Sequence, residues 1–143
     1  NKLERLNTLI FKDTKRLKFL SLEKNRIASI QDGIFNGLTK LTTIELNDNK
    51  LSFLNENVFG GLIELKELYL QRNQISSIDR SVFLNLGQLN SLNLENNCIF
   101  QIELNLFSKL VIIDEIFLES NLLKEIKNLY FQNLKWISTL DLK

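Results

Sequence analysis

The sequence predicts a solenoid, a stack of near-identical strand-and-loop coils, and three observations predict it. The 143-residue chain aligns with itself at a shift of 24 residues, without insertion or deletion. Each copy opens on an apolar residue, and its fourth and sixth positions alternate with variable ones at period two, the pattern of a short half-buried strand. The same apolar columns recur in every copy, and no single copy could bury so many side chains without neighbours on either side.

Five complete copies occupy residues 17–40, 41–64, 65–88, 89–112 and 113–136, with partial copies at 1–16 and 137–143, and together they form one domain, 1–143. The strand comes first in each. Its opening position is Leu17, Leu41, Leu65, Leu89, Ile113 and Ile137; its fourth is Leu20, Ile44, Leu68, Leu92, Ile116 and Leu140; its sixth is Leu22, Leu46, Leu70, Leu94, Leu118 and Leu142. The fourth and sixth alternate with outward, mostly polar positions. A turn follows, marked at the ninth position by Asn1, Asn25, Asn49, Asn73, Asn97 and Asn121. A polar side chain among core columns needs partners. A carboxamide both donates and accepts, so a stack of them can satisfy the backbone groups that a turn leaves unpaired, and the reading is structural. Apolar residues return at the eleventh and fourteenth positions, as in Ile27 with Ile30 and Ile75 with Ile78. The nineteenth is always phenylalanine (Phe11, Phe35, Phe59, Phe83, Phe107, Phe131), followed three residues later by leucine in every full copy. Thr14 stands in that leucine column in the first partial copy, which predicts looser packing there.

The combined pattern, L-x-x-L-x-L-x-x-N-x-I-x-x-I-x-x-x-x-F-x-x-L-x-x, resembles the 24-residue "typical" leucine-rich repeat of Toll-like receptor ectodomains, Slit proteins and variable lymphocyte receptors. The resemblance covers essentially the whole chain. It implies an α/β solenoid: a curved, right-handed superhelix with a parallel β-sheet on its concave face, and loops or short helical turns carrying the phenylalanine spine on its convex face. It also implies protein recognition and an extracellular or cell-surface setting. The chain departs from the family in two respects: the cysteine-rich caps of extracellular members are not in this sequence, and Thr14 stands where every later copy has leucine. The simplest expectation is an excerpt of a longer array.

Composition narrows the chemistry. With 44% apolar and 24% charged residues, the balance is that of an ordinary globular protein. There is no histidine, the commonest general base and metal ligand. The single cysteine, Cys98, excludes an internal disulfide and a four-thiolate zinc site. The five glycines form no phosphate-cradling array. No apolar run approaches the ~18 residues of a membrane span. Glu115 and Glu119 lie on an open strand surface, without the desolvation that separates the pKa values of a catalytic pair. The basic stretch Lys12, Lys15, Arg16 and Lys18 is interrupted by Asp13 and reads as a solvated face. The expectation is therefore no enzyme, no cofactor, no metal, no nucleic acid and no direct membrane insertion.

What remains is recognition. The outward strand positions (second, third, fifth, seventh and eighth) carry nine acids and five bases, a net −4 on a chain of net +1. Such a face disfavours phosphate and suits a basic or mixed-charge protein. The expected contact residues are Phe19, Glu45, Glu67, Tyr69, Arg72, Glu95, Glu115, Phe117 and Glu119, with the aromatics and Arg72 of the types enriched at interface hot spots. An alternative is a structural protein. The chain begins at repeat position nine and ends at position seven, so copies could stack head to tail into a filament through Leu3, Leu6, Phe11, Leu140 and Leu142.

Overall fold

The computed structural model describes residues 1–7, 9–135 and 137–143; Trp136, the last position of the fifth copy, lies outside the described residues. Six three-residue strands, β1 (Phe19–Ser21), β2 (Thr43–Glu45), β4 (Glu67–Tyr69), β6 (Ser91–Asn93), β7 (Glu115–Phe117) and β8 (Thr139–Asp141), make one parallel sheet in the order β1-β2-β4-β6-β7-β8. The register is the same throughout: Leu20 pairs with Ile44, Ile44 with Leu68, Leu68 with Leu92, Leu92 with Ile116 and Ile116 with Leu140. The chain is a parallel β-solenoid of about five turns.

Strands this short do not hold themselves. After the sixth position the backbone turns through a left-handed residue at the eighth: Lys24, Asp48, Arg72, Asn96 and Ser120, with φ between 52° and 56°. None is glycine, and the left-handed region costs an L-residue roughly 1 kcal/mol. The asparagine after it offsets that cost. Asn73 donates from Nδ2 to the carbonyl of Leu70 in its own coil (3.0 Å) and to that of Leu46 in the coil before (3.0 Å), and its Oδ1 accepts from the Leu51 N–H (3.0 Å). Asn49, Asn97 and Asn121 repeat the arrangement. Asn25 binds Leu22 in its own coil and accepts from Leu3. Asn1 stands in the same column but is exposed, and it is its terminal ammonium that donates, to the Lys24 carbonyl (3.0 Å).

The interior between the sheet and the return segments is apolar. Phe35, Phe59, Phe83 and Phe107 are among the largest fully buried side chains. Their rings stack in two runs, Phe11–Phe35–Phe59 at 6.0 and 6.2 Å and Phe83–Phe107–Phe131 at 6.3 and 5.6 Å between centroids. The convex side consists of tight turns, such as the Leu86 N–H bonded to the Phe83 carbonyl. Among the described residues, Asn128–Tyr130 is a single 3-10 turn. Thr14 is exposed, its hydroxyl bonded to the Phe11 carbonyl. On one flank β3 (Phe53–Leu54) pairs with β5 (Ser77–Ile78) in a second, two-stranded parallel sheet that the repeat pattern did not suggest.

A ladder asparagine in mid-array should matter far more than one at its edge. Asn73→Ala strips the buried Leu51 N–H of its partner and removes one of the two amide donors at each of the Leu46 and Leu70 carbonyls, which keep Asn49 and Asn97, and should cost about 2 kcal/mol. Asn1→Ala should stay within ~0.5 kcal/mol. Urea unfolding followed by circular dichroism distinguishes the two.

Candidate concave recognition face

The constant register sorts the outward side chains into columns. The third repeat position runs Phe19, Thr43, Glu67, Ser91, Glu115, Thr139, and the fifth runs Ser21, Glu45, Tyr69, Asn93, Phe117, Asp141. These twelve residues include four acids and no base. The basic residues Lys18 and Lys66 lie to one side of the strands, and Lys24 and Arg72 lie in the turns to the other. The net −4 of the whole face is thus an acidic centre between mixed borders.

Within the third column, acids and hydroxyls alternate. Thr43 Oγ1 donates to Glu67 Oε2 on the next strand (3.2 Å), and Ser91 Oγ donates to Glu115 Oε2 on the next (3.0 Å). Parallel strands stand ~4.8 Å apart, so like charges side by side in a column would repel. Placing a hydroxyl between carboxylates avoids this and fixes each carboxylate by a charge-assisted bond.

The nine expected contact residues do not form one site. Phe19, Glu45, Glu67 and Tyr69 meet across β1, β2 and β4, where with Glu23, Thr43, Asn47 and Gln71 they line a shallow basin of about 300 Å³. Arg72 lies outside it, exposed, with Nε 3.8 Å from Asp48 Oδ1. Glu95, Glu115, Phe117 and Glu119 lie farther along the sheet, half-buried. Phe19 is 53% exposed, whereas Glu45, Glu67 and Tyr69 are half-buried. Two positions expected to be exposed are not: Asn47 and Ser91 are both 7% exposed. Each is a small polar residue beside longer ones. Asn47 Nδ2 donates to Glu23 Oε2 (3.2 Å) and Asp48 Oδ2 (2.8 Å), and Ser91 is covered by the carboxylate it binds.

Glu23, Asn47 and Gln71 were not among the expected contact residues, although the repeat pattern places all three in the outward seventh column. Nothing in the pattern tells which of them reaches across a coil boundary. Among the described residues, Gln71 Oε1 and Asp114 Oδ1 are buried without a hydrogen-bond partner. Of the residues considered for end-to-end contact, Leu6 and Phe11 are buried at 7% and 8%, while Leu3, Leu140 and Leu142 are 43%, 37% and 41% exposed. Cys98 is a half-buried free thiol. Among the described residues, no group of three or more Cys, Asp or Glu side chains could hold a metal ion, and no helix is long and apolar enough to cross a membrane.

Tyr69 reports the field of this face. Its hydroxyl reaches Glu67 Oε2 at 3.5 Å. Burial pushes its pKa above the ordinary 10.0, followed by the charge of Glu67, the hydrogen bond to it, and the charges of Glu115 and Glu45. An acid whose folded pKa lies above its unfolded value contributes stability that is present below the unfolded value and lost as pH rises through the folded one. In a Tyr130→Phe background, phenolate absorbance should therefore titrate above pH 10, and Glu67→Gln should lower that midpoint.

The leucine-rich repeat family model matches residues 15–75 and 63–123. Among solved structures, a chain of the glycosylated Toll–Spatzle complex of Drosophila, described as a molecular hub in development and innate immunity, superposes with a TM-score of 0.82 at 26% identity over 92% of this chain. Another structure of the same complex gives a TM-score of 0.78 at 24% identity over 84%. The match covers only 20% and 16% of those two chains. No curated protein matches the sequence. The family model and the coil-by-coil register agree, and the chain belongs to the leucine-rich repeat family.

Proposed function

We propose that this chain is a non-catalytic protein-recognition module, part of a longer array in an extracellular or cell-surface protein, that binds its partner through the concave sheet. The observation that carries the proposal is the composition of the two central columns, with four acids, no base and the aromatics Phe19, Tyr69 and Phe117 on one continuous sheet. An acidic, aromatic-bearing surface held rigid by backbone ladders keeps the ordering cost of binding small. The likeness to a chain of the Toll–Spatzle complex supports an extracellular setting and a protein partner.

The test is to select binders from a displayed library of small folded proteins and re-measure them on variants. Tyr69→Ala and Phe117→Ala should each weaken binding by about tenfold or more, the range of an interface hot spot. Leu104→Ala, outside the sheet, should leave it within about twofold. Binders sensitive to Leu104 and indifferent to the two aromatics would refute the concave-face reading.

End-to-end stacking is the second reading, favoured by the exposure of Leu140 in β8 and of Leu142 just after it. Light scattering over a concentration series separates the two. The recognition reading expects the mass to stay at 16.7 kDa. Stacking expects it to grow with concentration.

A further inference from the structure

The basin across β1, β2 and β4 differs from the rest of the concave face in its hydrogen-bonding balance. Its donors are largely committed. The Thr43 and Tyr69 hydroxyls both point to Glu67 Oε2, and the Asn47 amide is shared between Glu23 and Asp48. Its acceptors are only partly so: Glu67 Oε2 accepts the two hydroxyls, and Glu23 meets Asn47 and Lys24. Among the described residues, no hydrogen bond or ion pair reaches the Glu45 carboxylate, and no cation pairs with Glu67. Among the described residues, the half-buried Gln71 at the same basin makes no hydrogen bond through Oε1. The rings of Phe19 and Tyr69 contribute to its lining.

From this balance we propose that the basin seats an arginine side chain of the protein partner. The proposal rests on the concave-face reading and gives that partner a chemistry. A guanidinium presents five donors and no acceptor in a planar fork, which complements an acceptor-rich site. Its flat face also suits an aromatic wall, where a hydrated ammonium fits less well. Glu45 and Glu67 are the carboxylates available to it, since Glu23 already meets Lys24 at 3.5 Å. The hydroxyl bonds to Glu67 leave that carboxylate positioned before the ligand arrives.

The experiment selects a displayed library of random linear peptides on the protein. It then compares each recovered peptide with versions carrying citrulline or lysine in place of arginine. Citrulline keeps the shape and loses the charge. Binding to wild type and to the Glu45→Gln/Glu67→Gln double variant is measured, and amide chemical shifts locate the site. The two substitutions touch no core residue, and an unchanged amide spectrum away from the basin confirms the fold. We expect arginine-bearing peptides to perturb β1, β2 and β4. Citrulline should weaken them at least tenfold on wild type, lysine about fivefold, and citrulline by less than about twofold on the double variant. Peptides that map to the sheet but bind equally with citrulline or lysine would overturn the arginine seat and leave the concave-face reading standing. A selection that returns only peptides mapping off the sheet, or none at all, would overturn both.

Discussion

The structure depends on one side chain per coil, the carboxamide at the ninth repeat position. It makes two bonds to the coil before, donating to a carbonyl 27 residues back and accepting from an N–H 22 residues back, as Asn73 does with Leu46 and Leu51. Both distances are set by the 24-residue period, so the amide joins the turn and the register of the stack in one group. A slip of one residue in any coil would send its leucines to the outside, and it would also separate the bonds that the amide makes to the coil before. The left-handed residues at the eighth position are tolerated for the same reason. The backbone groups exposed by so sharp a turn are met by the next asparagine, and a polar group buried at 7% or 8%, such as Asn49 or Asn73, is fully used.

A fixed register has a consequence for the surface as much as for the core. Side chains at equal repeat positions become neighbours at strand spacing, so a solenoid face amplifies any repetition in charge. This sequence avoids that in its two central columns. Glu67 stands between Thr43 and Ser91, Glu115 between Ser91 and Thr139, and Glu45 between Ser21 and Tyr69. The result is acidic without adjacent carboxylates in either column. Two of the carboxylates are oriented by hydroxyls from the preceding strand. Rigidity made by the ladder is thereby passed to groups that face solvent.

Much of the fold is legible in the sequence because each core position is repeated six times or nearly so. A leucine at one fourth position is weak information, and the same column over every coil is strong. Positions that do not repeat are harder to read. Phe53 gave no sign that it would pair with Ser77 in a second sheet, since the other coils carry unlike residues there. The site is legible only as a list of outward positions. Period two tells that Glu45 and Tyr69 share a face, but not that Asn47 and Ser91 are covered by longer neighbours. Nor does it show that Gln71 Oε1 is buried beside the same basin. Those facts depend on which rotamer crosses a coil boundary, and one-dimensional spacing carries no such information.

The partition of charge also changes how the face would select a partner. Counting the seventh column with the third and fifth, the centre holds seven acids and one base, Lys143. The flanking second and eighth columns hold four bases, Lys18, Lys24, Lys66 and Arg72, with Asp48 and Asp114. At physiological salt, charges more than ~8 Å away are largely screened. An approaching protein therefore meets a surface whose borders, net +2, offset only part of a centre of net −6, on a chain of net +1. Long-range steering from such a field is small. Were a partner's side chain to enter the basin as proposed, the same carboxylates would act at short range and partly out of water, where each counts for more. Discrimination would then fall mainly on how long a partner stays, because dissociation is where interface differences among related complexes are usually expressed. A net count of the outward residues points to charge-driven encounter; their arrangement in columns points to selection after contact.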